Sequence, residues 1–100
     1  MFNHINLITM MVNSGHTAAA IEGNTKALTA GRIDTATYLA AVDVIKAANI
    51  KRMQGFNAKM RTAASKAERL NFCALAQAIA DDLNNLCGMS WADIEAVEFA

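Results

Sequence analysis

A chain of 100 residues with 54% hydrophobic content is one domain's worth of sequence, and residues 1–100 are expected to form a single helical domain. There is no proline, only 6% of residues are aromatic, and 21 are alanine, so helix is the only regular structure the composition favours. Nine cations against nine acids leave no net charge, unlike the positive balance usual in nucleic-acid-binding domains.

The first apolar run, Ile5 to Val12, follows no Lys or Arg and is interrupted by Asn6 and Thr9, so it does not read as a signal peptide. No run approaches the ~18 apolar residues of a membrane span, and a cytoplasmic location is expected. Glycines at 15, 23, 31, 55 and 88 each follow an apolar-periodic stretch, and in a chain without proline they read as helix stops. Asn3 to Asn13 is the first expected helix, with Ile5, Ile8 and Val12 on one face. Two short segments follow, Thr17 to Glu22 and Thr25 to Ala30, too short to be stable without tertiary support.

The next start is specified best. Asp34 is an N-cap residue, and Ile33 before it can pack on Tyr38 as a hydrophobic staple. From there a helix is expected over Thr35 to about Gln54, with Tyr38, Val42 and Ile45 inward. A hairpin turn is expected at Gly55-Phe56-Asn57, with Asn57 capping the next helix. The competing reading is a helix running straight through, since Met53, Phe56, Met60 and Ala63 keep a helical spacing and a mid-helix glycine costs only about 1 kcal/mol.

No breaker occurs between Ala58 and Cys87, although Ser65 with Glu68 fits a capping box and allows a restart there. Phe72, Leu75, Ala76, Ile79, Leu83 and Leu86 form the strongest apolar stripe. Ser90 with Asp93 caps a last short helix from Trp91 to about Phe99. The architecture expected is all-α, a small helical bundle built on two long antiparallel helices with short helices at both ends.

Charge is distributed unevenly. Lys46, Lys51, Arg52, Lys59, Arg61, Lys66 and Arg69 lie in one stretch with a single acid, Glu68, while the chain from Asp81 onward holds acids and no base. In one continuous helix Lys51, Arg52, Lys59, Lys66 and Arg69 would share an arc of about 100°. With a turn at Gly55 the cations would gather at its tip. These seven residues and Phe56 are the candidate partner-binding residues. They could instead pair with Asp81, Asp82, Asp93, Glu95 and Glu98, within the molecule or on a second copy.

Other chemistries find little support. His4, His16, Cys73 and Cys87 lack paired metal-ligand spacing, so no metal or cofactor is expected. The two cysteines are about 21 Å apart along a helix, too far to bridge, and read as reduced, buried thiols. Ser14-Gly15-His16 is not a nucleophile elbow, and no glycine-rich phosphate loop is present, so no catalytic residue is assigned. Met10, Met11, Phe56, Trp91 and Phe99 are candidate apolar anchors, although plain core packing comes first for Trp91 and Met11.

The expected function is non-enzymatic: a protein-binding inhibitor or adaptor of the phage or mobile-element type, anti-CRISPR-like in character. It would dock on a larger protein or nucleoprotein complex through the basic face and apolar anchors. A nucleic-acid regulator using residues 46–69 and a self-assembling helical protein, hence a homo-oligomer, are the alternatives.

Overall fold

A computed structural model describes residues 3–100, which form five α-helices and, among the described residues, no strand. Helix α1 is His4–Asn13, α2 Thr17–Thr29, α3 Thr35–Thr62, α4 Lys66–Asn85 and α5 Trp91–Val97. The protein is all-α, and α3 and α4 are its two long helices. The chain groups into two compact units, Met1–Ala48 and Asn49–Ala100.

In the first unit, Asn3 caps α1 by accepting from the amides of Ile5 and Asn6. Gly15 ends it at φ +82°, where the amide of His16 reaches the Met11 carbonyl and that of Gly15 the Val12 carbonyl. This left-handed cap satisfies carbonyls that the helix itself leaves orphaned. Gly31 closes α2 in the same way, with Arg32 donating to Ala27 and Gly31 to Leu28. Two short helices were expected between these glycines, but α2 runs through Gly23 without a break. Thr17, Ala20, Asn24 and Ala27 are buried at a 3-4-3 spacing that crosses Gly23 in phase, so packing holds the helix together there.

Asn24 is 1% exposed and joins all three helices of this unit. Its Nδ2 donates to the Tyr38 carbonyl of α3, and its Oδ1 lies 2.8 Å from His4 Nε2 on α1. Because the Tyr38 carbonyl fixes the amide's orientation, His4 Nε2 must be the donor to Oδ1. Ile8, Val12, Ala20, Ala27, Ala41 and Ile45 supply the apolar core of the unit. Asp34 begins α3 as expected, its carboxylate accepting from the Thr37 amide.

In the second unit, the turn between the long helices lies at residues 63–65 rather than at Gly55. Helix α3 continues through Gly55, and Asn57, expected as a cap, is buried instead within α3. Met53 and Asn57 on either side of the glycine are both buried. Burial of that row outweighs the about 1 kcal/mol that a mid-helix glycine costs. Ser65 starts α4, its Oγ accepting from the Glu68 amide. Phe56 and Phe72, each eight residues from Ala64, stack with ring centroids 6.3 Å apart, as an antiparallel hairpin requires.

Helix α4 buries Ala76, Ile79, Ala80 and Leu83. Leu75 and Leu86, placed in the same stripe by the sequence, are exposed. They lie on the edge of the stripe, which is wider than the surface covering it. Ser90 caps α5 by accepting from the Asp93 amide, and Ile94 is its buried residue. Trp91, expected in the core, is 45% exposed. Neither cysteine is bridged in a disulfide; Cys87 is buried, but Cys73 is exposed because it lies off the buried face of α4.

Candidate interaction surface

The C-terminal half of α3 presents Lys51, Arg52, Gly55 and Lys59 within an arc of about 100° at the helical repeat. All four are exposed. Lys51 and Lys59 stand one turn before and one turn after Gly55, with Arg52 beside them. A Cβ added at Gly55 would meet nothing within 4 Å, and the residue does not occupy the left-handed region. Neither backbone conformation nor internal crowding requires a glycine there. Its consequence is bare backbone in the middle of a cationic face.

Lys59 has a second contact. Its Nζ lies 5.8 Å from the Phe56 ring centroid and 6.0 Å from that of Phe72. Both rings are half-buried, so Phe56 serves the α3–α4 packing while its face helps fix the ammonium. The ammonium thereby stays at the surface, against the two rings.

Arg61 projects from a different side of α3 and joins a structural array. Gln54 Nε2 donates to the Val97 carbonyl at 2.7 Å, Asn57 Nδ2 to the Glu98 carbonyl at 2.7 Å, and Arg61 Nη2 to the Phe99 carbonyl at 3.5 Å. The Arg61 guanidinium also sits 5.2 Å from the Phe99 ring centroid. These α3 side chains at a 3-4 spacing bond the carbonyls at and just beyond the end of α5, where the supply of helical amides runs out; the Val97 carbonyl also accepts from the Ala100 amide. A helix of 7 residues is too short to persist alone, and this capping complements the burial of Ile94.

The remaining candidates are dispersed. Lys46 is half-buried on the part of α3 that belongs to the first unit. Lys66 and Arg69 lie in the first turns of α4, beyond the break at 63–65, so the five-residue arc of an uninterrupted helix does not form. Arg69 instead donates back to the Ala63 carbonyl at 3.5 Å. Both are cations near a helix N-terminus, where the macrodipole disfavours positive charge.

Intramolecular neutralisation would come from Asp43 or Glu68, the acids nearest in sequence, or from those of the C-terminal segment. Among the described residues, no carboxylate lies within salt-bridge distance of Lys46, Lys51, Lys59, Arg61, Lys66 or Arg69, while Arg52 has an interaction of its own. Lys26 pairs with Glu22 at 2.8 Å along one turn of α2. That hydrogen bond, with the ammonium charge, holds the Glu22 carboxyl below its ordinary pKa. The Asp34 carboxyl is also lowered, chiefly by its hydrogen bonding to Thr37.

Exposed apolar side chains accompany the cations on the second unit: Leu70, Leu75, Leu86, Trp91 and Phe99. On the first unit, Met10 is 67% exposed, while Met11 lines a cleft. Among the described residues no three His, Cys, Asp or Glu side chains come together as metal ligands, and no helix is long and apolar enough to cross a membrane. Sequence reasoning assigned no bonding role to Asn24 or Gln54, and the capping role expected of Asn57 is replaced by its bond to the Glu98 carbonyl. The one available signal was their polar character at positions in phase with buried neighbours. Comparison with family models, with curated proteins and with solved structures gave no match to this chain.

Proposed function

We propose that the protein is a non-enzymatic docking module, an inhibitor or adaptor that binds an acidic face of a larger protein or nucleoprotein complex in the cytoplasm. The observation that carries this reading is the face Lys51–Arg52–Gly55–Lys59. Its two lysines lack carboxylate partners among the described residues, and the glycine between them leaves the helix backbone accessible. A partner carboxylate can reach either lysine while the partner's own surface approaches the backbone at Gly55. Exposed Trp91 and Phe99 are available as apolar anchors, the residue types that dominate binding hot spots. A phage or mobile-element origin, with anti-CRISPR-like action, is compatible with a chain of this size and charge pattern.

The test is capture of the partner by the wild-type protein and by the double reversal Lys51→Glu/Lys59→Glu. Both positions are exposed, so helical circular dichroism and thermal midpoint should stay near wild type while capture falls by about a hundredfold or more. Unchanged capture by the folded double variant would remove the basic face from the contact.

Exposure of Leu75, Leu86 and Trp91 favours a second reading, association between copies of this chain. Light scattering at micromolar concentration separates the two. A monomer leaves docking alone standing, and a concentration-dependent dimer that Trp91→Ala dissociates establishes self-association.

A further inference from the structure

We infer that the first unit carries a binding site for a small amphipathic carboxylate, a molecule with an aliphatic chain and one anionic end. The site is independent of the basic face, which belongs to the second unit, and stands or falls separately from it. A cleft of about 440 Å³ opens in the first unit, within the range typical of small-molecule sites. Its apolar wall is made by Leu7, Ile8 and Met11 of α1, with Ala27 and Ile33 opposite.

Two features distinguish this cleft from an accidental packing gap. The first is Gly23, which lines it from the interior of α2. A Cβ there would meet nothing within 4 Å, and the residue is not in the left-handed region. Glycine is the least favourable helix residue after proline, so the fold tolerates it here without a local need. A larger side chain at this position would project into the cleft. The effect of glycine is to keep that space open.

The second is the polarity of the lining. Arg32 is exposed at the cleft, and among the described residues no carboxylate neutralises its guanidinium. His4 contributes an imidazole oriented from behind by buried Asn24, through Nε2, so its other ring nitrogen keeps its hydrogen-bonding capacity. A guanidinium binds a carboxylate with charge-assisted, often bidentate, hydrogen bonds. The apolar wall has no use for a compact inorganic anion but removes an aliphatic chain from water. Together they select one chemistry: carboxylate at Arg32, hydrocarbon along α1.

Isothermal titration with decanoate, decanol and decyltrimethylammonium, each below its aggregation concentration, tests this on the full chain. Decanoate should saturate at one per chain, and decanol should bind about tenfold more weakly or worse. The cation should bind no better than the alcohol. Arg32→Gln should reduce decanoate to the level of decanol and leave decanol unchanged. Gly23→Leu should abolish uptake of both while the thermal midpoint stays at or above that of wild type, since leucine is the better helix former. Equal affinity for decanoate and decanol in the wild type, decanoate binding that survives Gly23→Leu, or uptake without saturation would each overturn the assignment. Arg32 is exposed and outside the core, so its variant remains decisive if Gly23→Leu fails to fold.

Discussion

Two buried asparagines illustrate how differently one residue type can act. Asn24 spends its amide on His4 and on the Tyr38 carbonyl, whereas the Nδ2 of Asn49, in a residue only 2% exposed, has no hydrogen-bond partner among the described residues. An unmade buried hydrogen bond costs about 1–3 kcal/mol, so the same substitution should have opposite signs at the two sites. Asn24→Leu should lose about 1–3 kcal/mol in urea denaturation. Asn49→Leu should be neutral or gain about 1 kcal/mol. Asp34 provides a pH handle. Its carboxyl is depressed by bonding to Thr37, so its stabilising contribution is present above the ordinary carboxylate pKa and is lost as pH falls through the depressed value. Asp34→Asn keeps an oxygen for the cap but cannot titrate, so its urea midpoint should decline less between pH 5 and pH 2 than that of wild type.

At the scale of the helix, starts and stops obey different logic. Asp34, Ser65 and Ser90 all begin helices, each side chain accepting from the amide three residues on. These starts were legible because an N-cap is a local hydrogen bond. Glycine stops are conditional: Gly15, Gly31 and Gly88 adopt positive φ, whereas Gly23 and Gly55 stay within helices whose buried rows continue past them. The turn between the long helices follows the cap at Ser65, not the glycine at 55. Gly55→Ala should therefore stabilise the protein by up to about 1 kcal/mol, as for any unstrained mid-helix glycine. Ser65→Ala should cost about 1 kcal/mol by removing the cap of α4. If Gly55→Ala also weakens partner capture, the methyl group itself obstructs the approach. Thermal melts and capture assays on the same variant separate stability from contact.

Considered as a whole, the molecule is neutral by count but not along its length. With a pI near 6.7 and no net charge it has no net attraction for polyanions, so binding must come from local charge. Capture by the face around Gly55 should weaken only moderately as salt rises from 50 to 200 mM, by about tenfold for a few screened contacts. A nucleic-acid binder making 6–10 phosphate contacts would lose about a thousandfold or more over the same range. A steep slope of that size with DNA or RNA would assign residues 46–69 to phosphate binding instead.

What the sequence determined alone was local: all-helical structure from alanine richness and the lack of proline, the three capped starts, and the segregation of cations from acids. Tertiary packing decided which signals prevailed. It carried α2 and α3 through their inner glycines, set Arg61, Gln54 and Asn57 to capping α5, and left Trp91 and Leu86 at the surface. The reason is range: a cap is satisfied by neighbours a few residues away, but whether a helix continues, or a cation stays unneutralised, depends on groups that only folding brings near.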